Sequence, residues 1–220
     1  MTRIIKKSSQ NPARACILWM HGLGATAGNL SPIAEDPALR SLAIQHIFLQ
    51  APKRPVTISQ GMLIPAWYDI EGLELSDRDD EEGILASQAT INAEVETLIA
   101  QGWSSSQIFL GGFSQGGAMA LYTGIHSKQP LAGIIALSAY LPLLKRSQAL
   151  QSHATPFFMA YGSLDPIVRP AWTQHTADHI QSMGYHKVSL RNYPMEHCIC
   201  NAELSDLGHW LQHVLLSGNT

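Results

Sequence analysis

Apolar residues recur along this chain in two rhythms. Short, mostly apolar runs at 15–20, 46–49, 108–110, 131–137 and 156–161 suit strands buried on both faces of a sheet, and a further strand is predicted over 187–192. Between them lie segments with helical spacing. Ser31 and Pro32 read as an N-cap and a first-turn proline that open a short helix running to about Arg40. Asp79, Asp80, Glu81 and Glu82 place negative charge at the start of an amphipathic helix, where the helix dipole favours it. Its Ile84, Ile91, Val95 and Leu98 share one face, and it ends near Gly102. Further helices are predicted over 115–126, over 171–183 with Gly184 as the stop, and over 202–216. Residues 53–80, rich in proline, glycine and acid, predict a long irregular segment, and loops of that length are usually functional or disordered.

Repeated strand–helix alternation implies an α/β fold: a mostly parallel sheet with helices on both faces and ligands at the carboxyl ends of the strands. No repeat or linker interrupts the pattern, so residues 1–220 are read as a single domain, a length that supports one core. The opening segment, with Arg3, Lys6 and Lys7, has the charge of a signal peptide's start, but the apolar run behind it is too short and passes directly into His21-Gly22. No stretch approaches the length of a membrane span.

Charge narrows the functional classes. Fourteen basic against seventeen acidic residues give a net charge of −3 with no basic stripe, which argues against nucleic-acid binding. Three cysteines, Cys16, Cys198 and Cys200, provide no disulfide framework and point to a reducing, cytoplasmic setting. Cys198 and Cys200 closely follow a candidate histidine, His197, but structural zinc wants four ligands and no second cluster exists, so no metal site is expected.

Chemistry concentrates in Gly112-Phe-Ser-Gln-Gly116, a G-x-S-x-G sequence preceded by a strand and followed by a helical pattern. Small residues two before and two after Ser114 let a strand and a helix meet at a strained turn. The turn presents the hydroxyl at a helix N-terminus, where free N–H groups favour negative charge. The alternative is a glycine-rich phosphate loop, but the lysine such a loop uses is missing.

A serine needs a base, and this arrangement supplies partners in the order Ser, Asp or Glu, His. Of the late histidines, His209 and His213 are spaced four apart on the last helix, and His186 begins a strand. His197 follows the last strand in Pro194-Met-Glu-His-Cys198, a loop that reaches the site edge of the sheet. For the orienting acid, Asp165 in Gly162-Ser-Leu-Asp-Pro166 stands at a strand's carboxyl end, with a turn or cap role as its alternative. Asp178 and Asp206 fall within helices and are expected to be solvated. Glu196 adjoins His197 and ranks second. Oxyanion donors are expected from the N–H of Gln115 and from the loop His21-Gly-Leu-Gly24, with Leu23 as donor and His21 as a hydrogen-bonded support.

These segments resemble the phospholipase/carboxylesterase family that includes acyl-protein thioesterases. The resemblance covers nearly the whole chain. It rests on His21-Gly-Leu-Gly24, Ala51-Pro-Lys-Arg-Pro-Val-Thr57, Ala66-Trp-Tyr-Asp-Ile70, Gly111-Gly-Phe-Ser-Gln-Gly-Gly117, Leu131-Ala-Gly133, Asp165-Pro-Ile-Val168 and His197. It implies an α/β-hydrolase without a separate cap domain, needing no cofactor, with Ser114, Asp165 and His197 as catalytic triad. It further implies that residues 67–75 form a loop over an acyl channel, with Leu23, Trp67, Leu73, Tyr140 and Ile167 binding substrate. Departures occur at Glu196 and Cys198, where the family often has glycine and serine, and at Tyr140, where some relatives carry tryptophan.

The expected activity is hydrolysis of acyl esters or acyl thioesters, of small molecules, lipids or acylated proteins, through an acyl-enzyme. A lysophospholipase using the same residues and a non-catalytic ligand-binding protein on the same fold are the alternatives. Apolar residues over 63–75 could serve as a lid or as a weak homodimer contact.

Overall fold

The computed structural model describes residues 3–6, 12–72, 74, 79–147 and 154–217. Its strands, in chain order, are β1 (Arg3–Lys6), β2 (Ala15–Met20), β3 (Ile44–Leu49), β4 (Lys53–Val56), β5 (Met62–Pro65), β6 (Ile108–Phe113), β7 (Gly133–Leu137), β8 (Phe157–Gly162) and β9 (Val188–Tyr193). Seven of them form one sheet in the order β1-β3-β2-β6-β7-β8-β9, parallel throughout except for β1, which pairs antiparallel with β3. Strand β2 is buried along its whole length because both faces are covered. Its Cys16, Leu18 and Met20 pack with the helices α3 (Glu81–Ala100), α4 (Gln115–Ile125) and α5 (Pro170–Ser182). Its Ala15, Ile17 and Trp19 pack on the other face with α1 (Ala27–Leu30), α2 (Pro37–Arg40) and α6 (Asn201–Ser217). This is the α/β-hydrolase architecture. No helix among the described residues is long and apolar enough to cross a membrane.

Three segments differ from the sequence expectation. The helix expected from Ser31 to Arg40 is a chain of short turns: α1, a 3-10 turn over Ser31–Glu35, and α2. The side chains that cap it are those of Thr26 and Asp36, and Pro37, which has no N–H and crowds the preceding turn, restarts the helix behind Asp36. The irregular stretch 53–80 contains an antiparallel hairpin, β4–β5, in which Arg54 pairs with Ile64. Strand β1 was not expected at all: four residues with a charge at each end carry too little alternation to announce an edge strand.

On the α6 side of the sheet, the rings of Trp19, His46 and Phe48 lie near-parallel in a mutual cluster, and Trp19 donates its indole N–H to His46 Nδ1 at 3.0 Å. Burial lowers the His46 pKa to about 4, so the ring stays neutral and keeps that acceptor.

Candidate active site

Local sterics build the elbow. Strand β6 runs through Gly112 and α4 starts at Gln115, so the reversal falls on Ser114, held at φ 54° and ψ −123°. A Cβ on Gly112 would lie 2.2 Å from the Gly116 carbonyl carbon, and one on Gly116 would lie 2.0 Å from the Met20 oxygen. Both positions therefore require glycine, and the strain at Ser114 is imposed by the close approach of strand and helix.

Around that turn the structure brings three expected residues together. Ser114 Oγ is 2.9 Å from His197 Nε2, and His197 Nδ1 is 2.7 Å from Asp165 Oδ2. Asp165 is buried. Its other oxygen accepts the N–H groups of Ile167 at 2.8 Å and Val168 at 2.9 Å, so the turn that the sequence suggested also holds the carboxylate in place. The His197 ring lies 4.8 Å from that of Phe113, centroid to centroid. Glu196 and Cys198, its sequence neighbours, are exposed.

The loop after β2 is fixed by hydrogen bonds on all sides. His21 Nδ1 donates to the Gly22 carbonyl at 2.8 Å, and its Nε2 accepts the Ala51 N–H at 3.1 Å and lies 3.1 Å from the Gln50 amide nitrogen. A carbonyl only accepts, so Nδ1 carries the proton and Nε2 is bare. Burial lowers the His21 pKa and keeps this neutral tautomer. The Gly22 carbonyl also accepts the Ala25 N–H at 3.2 Å. That carbonyl and the Leu23 N–H belong to one planar trans peptide and point in opposite directions, so fixing the first aims the second. Gly24 N–H donates to Pro65 O at 2.8 Å, which ties the loop to β5. Gln115 supplies the first N–H of α4, which has no intrahelical acceptor.

A cleft of about 310 Å³ opens in front of Ser114, its walls including Leu23, Tyr140 and Ile167. Leu73 lies outside the described residues. Trp67 is not among the described residues that line the cleft. It is wholly buried behind the site, its indole N–H donating to His21 O at 2.8 Å, which corrects its expected place on the substrate side. Sequence reasoning missed Phe113, Tyr68 and Trp172 in the walls. Trp172 sits in the first turn of α5, and that location was the available signal: helices following parallel strands begin at the site edge. Tyr68 and Tyr140 bring two hydroxyls 3.4 Å apart, a polar spot in a largely apolar cleft in addition to Ser114 and His197.

The other candidates lie elsewhere. His186 and His213 line a groove of about 660 Å³ beside Trp210, and His209 lines another of about 450 Å³ between α2 and α6. Asp178 is exposed, but Asp206, expected to be solvated, accepts the Tyr193 hydroxyl at 2.8 Å.

A doubly covered parallel sheet with a Ser–His–Asp hydrogen-bonded chain at its carboxyl edge defines a serine hydrolase of the α/β-hydrolase class. Comparison with known proteins narrows the class. The phospholipase/carboxylesterase family profile matches residues 2–215. An acyl-protein thioesterase 1 from Neurospora crassa is 38% identical over 90% of this chain and 85% of its own length. Its namesake from Cryptococcus neoformans is 32% identical over 96% and 97%. The crystal structure of Zea mays acyl-protein thioesterase 2 superposes with a TM-score of 0.86 at 27% identity, covering 97% of this chain and 99% of that one. The chain belongs to the phospholipase/carboxylesterase family and is a serine esterase or thioesterase.

Proposed function

We propose that this enzyme hydrolyses acyl thioesters and esters with an apolar acyl chain, acylated proteins among them, with Ser114 as nucleophile, His197 as general base and Asp165 as its orienting acid. The observation that carries this reading is the continuous hydrogen-bonded chain from Asp165 through His197 to Ser114. Ser114 Oγ attacks the carbonyl carbon as its proton passes to His197 Nε2. The oxyanion is held by the N–H groups of Leu23 and Gln115. As the C–S or C–O bond breaks, the leaving group takes the proton from the imidazolium. Water then attacks the acyl-enzyme, giving a proton to His197; the bond from the acyl carbon to Ser114 Oγ breaks as Oγ takes that proton back, and the free acid departs.

The acyl chain occupies the cleft lined by Leu23, Tyr140 and Ile167, whose walls are mainly apolar. The thioesterase names of the relatives favour a thioester on a protein, whereas the phospholipase part of the family name makes lysophospholipid the second reading. Parallel assays with a palmitoyl-thioester peptide, a lysophospholipid and short p-nitrophenyl esters decide between them. Ser114→Ala is expected to abolish turnover of all three and to block labelling by a fluorophosphonate; persisting hydrolysis in that variant sinks the assignment. The free thiols of Cys16, Cys198 and Cys200 support a cytoplasmic setting, which fractionation of cells for the native chain checks.

A further inference from the structure

Trp67 stands where the two halves of the oxyanion site meet. One half is the loop after β2, which carries the Leu23 amide; the other is the start of α4, which carries the Gln115 amide. Trp67 bonds both. Its indole N–H donates to His21 O at 2.8 Å, two residues before Leu23. Its backbone N–H donates to Gln115 Oε1 at 2.9 Å, and Gln115 Nε2 donates to the Tyr68 carbonyl at 2.8 Å. The Trp67 carbonyl accepts the hydroxyl of Ser87 from α3. Trp67 is fully buried and Gln115 nearly so.

We propose that Trp67, with the side chain of Gln115, is a positioning residue that sets the spacing between the Leu23 and Gln115 amides. The proposal rests on the reading that those two amides bind the oxyanion. Three features carry it. The indole is rigid and has a single N–H donor, so its direction is fixed by one acceptor, His21 O. The Gln115 side chain closes a two-bond clamp across the Trp67–Tyr68 segment, from the N–H of Trp67 to the carbonyl of Tyr68, which ties the strut to the residue whose own amide is the second donor. Both contacts are buried, where a carbonyl left without its donor costs the full desolvation penalty and a shift of the loop is the way to relieve it. Displacements on the order of 1 Å in such donors cost about 10²-fold in rate.

The test is Trp67→Phe, which keeps an aromatic ring and removes the indole N–H. Turnover is counted per fluorophosphonate-titrated Ser114, so unfolded protein does not contribute. We expect kcat to fall by about 10- to 100-fold, with KM within about threefold of wild type. Affinity for an alkylboronic acid, whose Ser114 adduct places an oxygen in the oxyanion site, is expected to fall in parallel. A role confined to packing would lower the melting temperature and leave kcat per titrated site and boronate affinity unchanged. Should Trp67→Phe not fold, Gln115→Met decides: it removes both side-chain bonds, keeps the backbone amide and is expected to lose kcat and boronate affinity together. Because both changes act on one strut, the double variant should lose less than the product of the two single losses. A folded, titratable variant with kcat within twofold of wild type, or a fall in kcat with unchanged boronate affinity, overturns the proposal. If the wild-type enzyme itself is not labelled at Ser114, the underlying functional reading has failed instead.

Discussion

At Ser114 the backbone holds a conformation that L-residues rarely adopt, and the side chain that needs it is the one with chemical work to do. Replacing it separates the two. Ser114→Ala removes the hydroxyl and keeps the strain; Ser114→Gly removes both. The glycine variant is therefore expected to be more stable than the alanine variant, by on the order of 1 kcal/mol after glycine's own entropic cost, with neither hydrolysing substrate. Urea unfolding of the pair measures the difference. Asp165 has all three of its short contacts taken up by one histidine and two amides, so Asp165→Asn preserves its shape while reversing the polarity presented to His197. A loss on the order of 10⁴ in kcat with little change in folding is expected; a near-normal rate would move the acid elsewhere, with Glu196 next to be tested. At His46 the expected effect is on stability. Its folded pKa, about 4, lies below the ordinary 6.5, so the unfolded chain binds protons first as pH falls. The His46 contribution is intact above about pH 6.5 and is lost as pH drops toward 4, an effect on the order of 3 kcal/mol. His46→Gln, which retains an acceptor for Trp19, should flatten that acid limb in pH-dependent unfolding.

Among the elements, α6 contains the residue most at odds with its surroundings. Glu203 is fully buried in its first turn, and neither carboxyl oxygen reaches a hydrogen-bond partner among the described residues. Burial raises its pKa to about 8, with the Cys200 amide near enough to oppose that shift without closing a hydrogen bond. The folded protein thus holds a proton that the unfolded chain releases near 4.5. Stability from this group is complete below that pH and declines until about pH 8. Glu203→Gln is expected to remove the decline, so that melting temperatures of variant and wild type diverge most at pH 8. Nothing along the chain announces this, because a glutamate in a helix's first turn reads as an ordinary dipole partner; only the packing of α6 on the sheet buries it. The hairpin β4–β5 was hidden for a related reason. Pro55 interrupts its first strand, and the ties that settle it, from Gly24 to Pro65 and from Trp67 to His21, join residues more than forty positions apart. By contrast, the elbow was legible because its signal is local, a G-x-S-x-G spacing between a strand and a helix, even though Gly116 itself answers to Met20 of the distant β2.

For the molecule as a whole, the alternation of apolar runs and helical segments was enough to reveal a doubly covered parallel sheet, since each strand buried on both faces demands cover on both. The positions of Ser114, Asp165 and His197 followed from one consequence of that topology: successive strands deliver their following loops to the same edge. What that topology cannot convey is which side of the edge a residue faces. Trp67 was expected among substrate contacts and stands behind them, because a large aromatic near a site reads alike whether it lines the cleft or braces it. The same lack of directional information concealed Trp172 in the opening turn of α5.

Strand β6 pairs in the centre of the sheet with β2, some ninety residues earlier in the chain, and with β7, a short way later. The reactive serine is therefore completed only when distant stretches of polypeptide have found each other. A fluorophosphonate pulse applied during refolding should label Ser114 late, in step with the recovery of native tryptophan emission rather than with the first helical signal in circular dichroism. The nucleophile would then act as a chemical clock for assembly of the sheet's middle.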